Sequence, residues 1–303
     1  MENKPETLQI LQYNIDKMKD KTLRPLFKGL NPKIHQIIAI QEPWHTPGAN
    51  TTHSDPRYHT AFFPSQDTGV CMYISKDIEP GSWEVKYHSP RLITATIRTK
   101  SLTIHIHNAY NPPPGSYTSQ SLGTLQELPE ILQQEGEHIL LGDFNLHHPR
   151  LGGTGVLVQH RLADTLIDIT QESDLELILP RGTVTRIGKV RGGGVARSTL
   201  DLVFTSPGIQ QRLITCTVPQ EHNYSSDHLQ ILTKIDMRVQ EVEHRQRRNW
   251  RKAEWEKVNK ELEARLGKLI EPLETQEQED QALRKVVQAI QDTVESQVPW
   301  ARP

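Results

Sequence analysis

Short apolar runs, each bounded by turn-forming residues, recur along the first 236 residues of the chain. Leu8 to Asn14 alternates apolar and polar side chains, as a strand buried on one face does. His138 to Leu141 is mostly apolar and runs directly into Gly142, which favours a buried strand followed by a turn. Further strands are predicted over 34–40, 58–63, 69–75, 92–108 with a hairpin at 100–101, 175–179, 198–204 and 225–236.

The segments between these strands predict few helices. Helical stretches are expected from Asn14 to about Leu30, over 118–134 and over 160–172. The three prolines at 112–114 exclude their segment from a sheet, because proline cannot donate a ladder hydrogen bond. Residues 181–197, rich in glycine and arginine, are predicted as a basic loop. Many strands with few interposed helices favour two packed sheets flanked by helices over a doubly wound parallel sheet.

The pattern changes near residue 239. Apolar residues recur every three or four positions over 255–269 and again over 283–294, with charged residues between them. Pro272 and the acidic run 274–280 separate these two predicted helices. The sequence therefore predicts a strand-rich domain over residues 1–238 and a helical, charged extension over residues 239–303.

Composition narrows the class of protein. The formal net charge is −2, so any surface that binds a polyanion must be local. Cys71 and Cys216, the two cysteines, lie in strand-like runs and do not suggest a disulfide framework. No window approaches the roughly 18 apolar residues of a membrane helix, and the N-terminus has no apolar signal core. We expect an intracellular protein that does not bind membranes.

Polar residues cluster at the ends or starts of the predicted strands, where a layered fold gathers side chains around one cleft. Each residue singly also fits a cap or a surface charge, although an Asp-His pair opening an apolar strand is a poor choice for stability alone. The oxygen-rich set favours Mg²⁺ or Mn²⁺ over zinc. Phosphoester hydrolysis needs this inventory, whereas glycoside hydrolysis does not explain the asparagines. The set comprises Asn14, Glu42, Asp143, Asn145, Asp201, Asp227 and His228.

These residues carry a resemblance that spans about residues 7–236. The series YN, QE, YNP, GDFN, STLD and SDH resembles, in order and spacing, the motifs of the endonuclease/exonuclease/phosphatase superfamily. Within it, GDFNLHHPRLGG, TVTRIG, STLDLVF and SSDHLQI look like the endonuclease domain of retrotransposons that lack long terminal repeats. RNWRKAEW and VPWARP resemble the segment joining that domain to its reverse transcriptase. A full-length element would then carry a reverse transcriptase downstream.

The resemblance implies a four-layered α/β sandwich with a C-terminal helical extension. It also implies a metal-dependent phosphodiesterase, most similar to an endonuclease that nicks target DNA for retrotransposition, with Mg²⁺ or Mn²⁺ as cofactor and DNA as partner. Glu42 would be the principal metal ligand, with Asn14 and Asp227 beside it.

The same resemblance assigns catalytic roles to five residues. Asp143 would orient or deprotonate the attacking water, while Asn145 and Tyr110 would hold the scissile phosphate or its transition state. Asp201 would fix the tautomer and orientation of His228.

A local basic stretch agrees with a DNA substrate. We predict nucleic-acid contacts from the arginine-rich loop and from the TVTR motif before it, although a solvated loop would look similar. The predicted contacts are Thr185, Arg186, Lys189, Arg191 and Arg197. The basic run 245–252 fits a nuclear-import signal, a nucleic-acid contact or a helix start, and we expect a nuclear location.

Two other functions fit the same residues. An abasic-site repair endonuclease or a phosphatase of the same superfamily would share the fold and the metal site. A catalytically inactive nucleic-acid-binding remnant would also keep the fold, although no residue of the motif series is missing. The target sequence, the choice between Mg²⁺ and Mn²⁺ and the oligomeric state lie outside what the residues determine.

Overall fold

The computed structural model of the chain describes residues 6–116, 122–189, 192–219, 224–238, 248–267 and 276–300. The chain divides into two compact units, Met1–Val239 and Gln240–Pro303. Within the described residues the first unit is built on two six-stranded sheets and a separate two-stranded hairpin.

The strands occupy most of the first unit. In chain order they are β1 Thr7–Asn14, β2 Ile37–Gln41, β3 Tyr58–Phe62, β4 Val70–Ser75, β5 Trp83–Ser89, β6 Leu92–Arg98, β7 Thr103–Tyr110, β8 Glu137–Asp143, β9 Glu176–Leu177, β10 Arg186–Lys189, β11 Val195–Ser198, β12 Asp201–Thr205, β13 Leu213–Thr217 and β14 Ile231–Asp236.

The helices are short in the first unit and longer in the second. They are α1 Arg24–Gly29, α2 Leu128–Ile131, α3 Pro149–Gly152, α4 Arg161–Glu172, α5 Pro207–Gln210, α6 Trp255–Leu266 and α7 Gln276–Gln297. A π-helical turn at Lys19–Leu23 runs into α1, and 3₁₀ turns lie at Pro80–Ser82, Gly123–Glu127 and Trp250–Lys252.

The two sheets have similar mixed topologies. The first has the strand order β13-β14-β1-β2-β4-β3, and the second has the order β5-β6-β7-β8-β12-β9. Each contains one parallel pair at its centre, β1 with β2 and β7 with β8, and antiparallel pairs elsewhere. Parallel neighbours end at the same edge of a sheet, so each sheet presents two strand ends side by side.

Apolar side chains fill three layers between the sheets and the helices. The central layer lies between the sheets and includes Ile37, Met72 and Ile106. On one outer face, Phe27 of α1 packs with residues of the first sheet. On the other, Leu166 of α4 packs with residues of the second sheet. The first unit is therefore a four-layered α/β sandwich, as predicted, because each sheet buries both faces.

Several local predictions are corrected. Strands β5 and β13 were not predicted, since both lie at sheet edges and expose much of their length. The predicted basic loop at 181–197 contains the antiparallel hairpin β10–β11. The helix predicted over 118–134 is reduced to a 3₁₀ turn and α2, with 117–121 outside the described residues. The SDH motif precedes β14 rather than opening it.

The second unit contains α6 and α7. The buried apolar residues that pack together in it are few, namely Ala253, Val258 and Val298. Pro272 belongs to the segment predicted to separate the two helices, and residues 268–275 of that region lie outside the described residues. In the part of the chain that the structure describes, no helix has the length and apolar character needed to cross a membrane.

Candidate active site

The central strands of both sheets end in polar residues at the same edge of the sandwich. In the first sheet, Asn14 at the end of β1 pairs in register with Gln41 at the end of β2, and Glu42 follows immediately. In the second sheet, Tyr110 at the end of β7 lies beside Asp143 at the end of β8. The sheets therefore place their polar strand ends together at one edge of the sandwich.

Strand β12 adds a second carboxylate to this edge. It runs antiparallel to β8, and its first residue, Asp201, pairs in register with Asp143. The backbone amide of Phe144 donates to the Leu200 carbonyl at 3.0 Å and extends this pairing past the strand end.

A single side-chain amide joins the two sheets at this edge. Asn14 Nδ2 donates to Glu42 Oε1 at 3.1 Å and to Asp143 Oδ2 at 2.9 Å. The amide of Asn145 also donates to Asp143 Oδ2, at 3.1 Å. Glu42, from the first sheet, and Asp143, from the second, are thus held in one hydrogen-bonded set.

The hydrogen bonds of Asn14 define what this residue does in the metal-free arrangement. Asn14 Oδ1 accepts from the backbone N–H of Asp16 at 2.9 Å, which fixes the amide with its NH₂ group towards Glu42 and Asp143. Asn14 is also fully buried. Asn14 therefore orients the two carboxylates here, and its role as a metal ligand stays a prediction.

Unusual backbone geometry surrounds the same edge. Asp16, Lys17, Glu42 and Asn145 all have φ values between 46° and 57°, a left-handed conformation that is uncommon outside glycine. Residues in such conformations persist only where their surroundings hold them, and they concentrate at functional sites.

Gly142 is required for the close approach of β7 and β8. Its φ is 153°, and a Cβ atom there would lie 1.9 Å from the carbonyl oxygen of Ala109. Any side chain would therefore separate the two strands that bring Tyr110 and Asp143 together.

His228 and Asp201 form a buried pair beneath the cleft. His228 Nδ1 lies 2.8 Å from Asp201 Oδ2, and because a carboxylate only accepts, Nδ1 carries the proton and donates it. Nε2 is then directed to the cleft, 3.8 Å from Asp143 Oδ2 and 3.8 Å from Asp227 Oδ1.

The carboxylates determine the charge of this pair. Burial alone lowers the pKa of His228, but the Asp201, Asp143 and Asp227 carboxylates together outweigh it and raise that pKa to about 9. Burial, followed by the neighbouring Asp201 carboxylate, raises the pKa of Asp143 to about 7. The imidazolium form of His228 and a proton-accepting Asp143 are therefore both accessible near neutral pH.

Thr185 lies beneath Asp201 and not at the surface. Its hydroxyl accepts from the backbone N–H groups of Leu200 and Asp201, at 3.0 Å each, and the residue is fully buried. Its prediction as a nucleic-acid contact is therefore wrong, since it has no surface to offer. Thr185 instead fixes the start of β12.

Asp227 and Arg186 join the hairpin to the site. Arg186 Nε donates to Asp227 Oδ2 at 2.8 Å, and the Ile187 backbone N–H donates to the Asp227 carbonyl at 2.7 Å. Arg186 therefore neutralises Asp227 in part, while both remain at the cleft surface.

Two further predicted nucleic-acid contacts, Lys189 and Arg197, lie on the hairpin itself. Cross-strand pairing places Ile187 opposite Arg197 and Lys189 opposite Val195, so these four side chains share one face. Lys189 and Arg197 are exposed on it. The predicted contact Arg191 lies outside the described residues.

A cleft of about 570 Å³ opens above these residues. A second cleft of about 550 Å³ adjoins it, and Glu42 and Pro113 line both. Tyr110 lines the second, where burial, and then the Glu42 and Asp143 carboxylates, raise the pKa of its hydroxyl, so that it stays protonated. The first cleft is lined by Asp16, Glu42, Pro113, Pro114, Asn145, His147, Val158, His160, Arg186, Leu200, Asp227 and His228.

The lining includes an acidic residue that was not predicted, Asp16. Asp16 lies two positions after the end of β1, and burial raises its pKa, with the Glu42 and Asp227 carboxylates adding to the effect. Three acidic side chains therefore face one another at the cleft mouth. The signal available in the sequence was the spacing Asn14-Ile15-Asp16, an acidic residue immediately beyond a strand end.

Two groups of residues in the described part of the chain are candidates for holding a metal, and only the first has three closely clustered ligand atoms. One is the buried cluster of Asp143, Asp201 and His228, whose ligand atoms all lie within 4.8 Å of one another. The Nδ1 atom of His228 already donates a hydrogen bond to Asp201. Mg²⁺ keeps several waters, and this enclosed cluster leaves little room for them.

The other group, at the cleft mouth, fits a hydrated cation better. Glu42, Asp16 and Asp227 supply carboxylate oxygens that line the open cleft. Burial, and then the Glu42 and Asp227 carboxylates, raise the pKa of Asp16, and a bound cation would relieve the repulsive part of this effect. We therefore favour Glu42, Asp16 and Asp227 as the residues that would hold the metal.

Comparison with known proteins agrees with the architecture. The family model of the endonuclease-reverse transcriptase matches residues 104–232. No curated protein matches the chain. Many solved structures match the chain, and three of them, each below 20% identical to it, illustrate the shared fold.

The first is the endonuclease domain of TRAS1, a telomere-specific retrotransposon without long terminal repeats, at 18% identity and a TM-score of 0.59, covering 77% of this chain and 100% of that one. The second is the AP endonuclease LMAP from Leishmania major, at 15% and 0.59, covering 77% and 89%. The third is the 3′ phosphatase NExo from Neisseria, bound to product DNA hairpin, at 17% and 0.55, covering 76% and 99%. The resemblance of the motifs is thus confirmed, and the first unit has the fold of endonuclease/exonuclease/phosphatase enzymes.

Proposed function

We propose that the chain is a metal-dependent DNA endonuclease that nicks target DNA for retrotransposition. The observation that carries this proposal is the Asn14 amide that joins Glu42 to Asp143, with His228 Nε2 3.8 Å from the same Asp143 oxygen. A metal-binding carboxylate, a water-positioning carboxylate and a proton-transferring imidazole meet in one cleft. Phosphodiester hydrolysis uses these three functions together.

Each residue then has a defined task. Mg²⁺ or Mn²⁺ bound at Glu42, with Asp16 and Asp227 beside it, would polarise a phosphoryl oxygen. Asp143 orients the attacking water and accepts its proton. Protonated His228, held by Asp201, stabilises the negative charge that develops on the phosphate.

Two further side chains line the site beside these groups. Asn145 donates both hydrogens of its NH₂ group, to Asp143 and to the Asn111 carbonyl, at 3.1 Å each, so it positions Asp143, and donation to a phosphate requires exchange of one of these hydrogen bonds. Tyr110, kept protonated beside Glu42, donates its hydroxyl hydrogen to a phosphate oxygen.

The substrate is inferred from the hairpin next to the cleft. Lys189 and Arg197 share an exposed face with Ile187 and Val195, which suits contact with phosphates along a groove. The match to the endonuclease-reverse transcriptase model supports a role alongside a reverse transcriptase, and we propose a nuclear location for the same reason.

Plasmid nicking tests the proposal directly. Supercoiled plasmid is incubated with the full chain in Mg²⁺ or in EDTA, beside Glu42→Gln, Asp143→Asn and the exposed control Glu130→Gln. We expect nicked circles with Mg²⁺ only, retention in the control and a loss of at least about 10²-fold in each site variant, in line with general acid–base contributions. Undiminished nicking by both site variants would overturn the assignment.

The structural likeness to an AP endonuclease and to a 3′ phosphatase favours a second candidate function. The same variants are therefore assayed on a duplex with one abasic site and on a duplex ending in a 3′ phosphate. Cleavage of these substrates without plasmid nicking would assign a repair-type reaction to the same cleft. Inactivity on all three by a folded, Mg²⁺-binding chain would instead indicate the inactive remnant.

A further inference from the structure

The second unit exposes an unusual amount of indole surface. Three of the five tryptophans of the chain lie in it, and Trp250, Trp255 and Trp300 are 49%, 52% and 49% exposed. Tryptophan is usually well buried, because its large apolar surface makes exposure costly. Three half-exposed rings in one small unit therefore indicate a binding surface.

Two of these rings lie nearly parallel. The ring centroids of Trp250 and Trp255 are 6.2 Å apart, with an angle of 16° between their planes. Trp250 begins a 3₁₀ turn in which the Asn249 side chain accepts from the Lys252 backbone N–H at 3.2 Å, and Trp255 begins α6. Capped local structure therefore holds both rings in place.

The third ring is fixed from the other end of the unit. The Arg248 guanidinium lies 3.6 Å from the Trp300 ring centroid. Arg248 NH1 donates to the Val298 carbonyl at 2.9 Å, and the Asn249 backbone N–H donates to the Pro299 carbonyl at 2.6 Å. Segments 248–250 and 298–300 are thus joined, which brings Trp300 to the segment that carries Trp250.

Positive side chains lie around Trp250 and Trp300. Arg248, Arg251 and Lys252 lie within five positions of the chain, and the last two are exposed. Trp255 lies between Glu254 and Glu256, and Glu254 is paired with Lys257 at 2.7 Å. An apolar protein partner would match a patch depleted of charge. Planar rings with cations close to two of them instead match a ligand with flat apolar faces and negative charge, namely unpaired bases and phosphates.

We propose that Arg248, Trp250, Lys252, Trp255 and Trp300 form a binding platform for single-stranded nucleic acid. Bases of a single strand are parallel to one another, so the two parallel indole planes accept bases of one strand. In duplex DNA the base faces are already stacked, and the platform has no means of reaching them. All five residues belong to the second unit, and the proposal does not depend on the proposed nuclease activity.

Binding of oligonucleotides in EDTA tests the platform without catalysis. Fluorescence anisotropy follows a labelled 15-nucleotide oligothymidylate with the full chain, and intrinsic tryptophan fluorescence reports contact with the rings. We expect the Trp250→Ala/Trp255→Ala double variant to bind at least tenfold more weakly, since each stacked base contributes on this scale. Trp250→Phe should retain most of the affinity, and Lys252→Ala should reduce the slope of log K against log salt by about 0.7.

Matched variants separate the platform from other surfaces. Leu283→Ala removes a side chain that is 63% exposed on α7 but lies outside the platform, and it should bind as the wild type does. Lys189→Ala/Arg197→Ala alters the hairpin, and a loss of single-strand binding in this variant alone would assign the oligonucleotide to the hairpin. Circular dichroism and thermal unfolding check that each variant is folded.

Three outcomes would overturn the platform. The first is full affinity in the folded Trp250→Ala/Trp255→Ala variant, and the second is a loss of binding in the hairpin variant alone. The third is that the wild-type chain binds duplex and single strand with equal affinity and that both affinities depend on Trp250 and Trp255 to the same extent. Quenching of the indoles by anionic vesicles but not by oligothymidylate would count against nucleic acid as well. Failure of plasmid nicking leaves this test unaffected.

Discussion

Gln41 Nε2 donates to Asn108 Oδ1 at 2.6 Å, and this fully buried hydrogen bond crosses from one sheet of the sandwich to the other. Asn108 also donates to the carbonyls of Ile40 and Cys71, at 3.1 and 3.0 Å. Gln41 precedes Glu42, and Asn108 lies two residues before Tyr110. The two sheets are therefore tied by polar groups immediately behind the residues that they bring to the cleft.

Substitution of Asn108 should destabilise the fold. Asn108→Leu leaves the Gln41 amide and the carbonyls of Ile40 and Cys71 without their partner, so we expect a loss of about 2–4 kcal/mol in the free energy of unfolding, measured with urea. Gln41→Leu combined with Asn108→Leu should cost less than the sum of the single changes, because both ends of one hydrogen bond are removed. Strict additivity of the two single changes would show that the pair is not coupled.

The His228–Asp201 pair should be visible in a titration. In metal-free protein, NMR of the His228 ring should give a pKa raised to about 9, and Asp201→Asn should lower that pKa, because Asp201 contributes most to raising it. Because the folded pKa lies above the unfolded value of about 6.5, the pair's stabilisation is complete below pH 6.5 and is lost as the pH rises through 9.

A second substitution identifies the source of that shift. Asp227 is the weakest of the three carboxylates that raise the pKa of His228, so Asp227→Asn should lower it less than Asp201→Asn does. An unshifted imidazole in the wild type would contradict the pairing altogether.

The sequence was sufficient for the layers of the fold because the central strands follow simple rules. Strand β1 alternates apolar and polar residues, strand β8 is mostly apolar, and both end in polar residues. Such patterns arise from the pleat of the strand itself and can be read from local sequence. The edge strands β5 and β13 were not predicted, because the residues of such a strand depend on the neighbouring strand with which it pairs. Such pairing is a property of the whole sheet.

The site was predicted as a set of residues but not as a set of contacts. That Asp201 lies directly opposite Asp143 follows from strand register, which a single sequence does not determine here. The orientation of the Asn14 amide depends on the backbone N–H of Asp16, and the burial of Thr185 depends on its packing under β12. Roles that depend on which atom faces the cleft needed the folded chain.

The hairpin should contribute to duplex DNA binding through charge. Lys189→Ala/Arg197→Ala removes both cations of its exposed face, and we expect weaker binding, with a salt slope reduced by about 0.9 for each phosphate that the variant no longer binds. Anisotropy of a labelled duplex in EDTA at several salt concentrations measures this slope. Lys86→Ala/Lys100→Ala removes equal charge from exposed positions on and beside β5 and β6, and it serves as the control. Equal slopes in the two double variants would mean that the hairpin makes no specific phosphate contacts.

Three stacked histidines make the second sheet sensitive to acid, far from any role in the cleft. His107 Nε2 lies 3.0 Å from His138 Nδ1, and its Nδ1 lies 2.8 Å from the Thr94 hydroxyl. Burial, and then the neighbouring His138 and His105, hold the pKa of His107 well below 6.5. His88 adds to this repulsion, whereas Glu137 acts on His138 in the opposite sense.

The sign of the resulting pH dependence is fixed. The unfolded chain takes up a proton on His107 below pH 6.5 while the folded chain does not, so the free energy of unfolding falls as the pH is lowered, by up to about 1.4 kcal/mol per pH unit. His107→Gln should be less stable at pH 7.5 by about 1–3 kcal/mol, because its packing and hydrogen bonds are removed. Between pH 7.5 and 5.0 its urea midpoint should fall less than that of the wild type. An equal fall of the urea midpoint in wild type and variant over this pH range would show that His107 is protonated in the folded state. The hydrogen bonds from Thr94 to His138 would then need a different arrangement of protons.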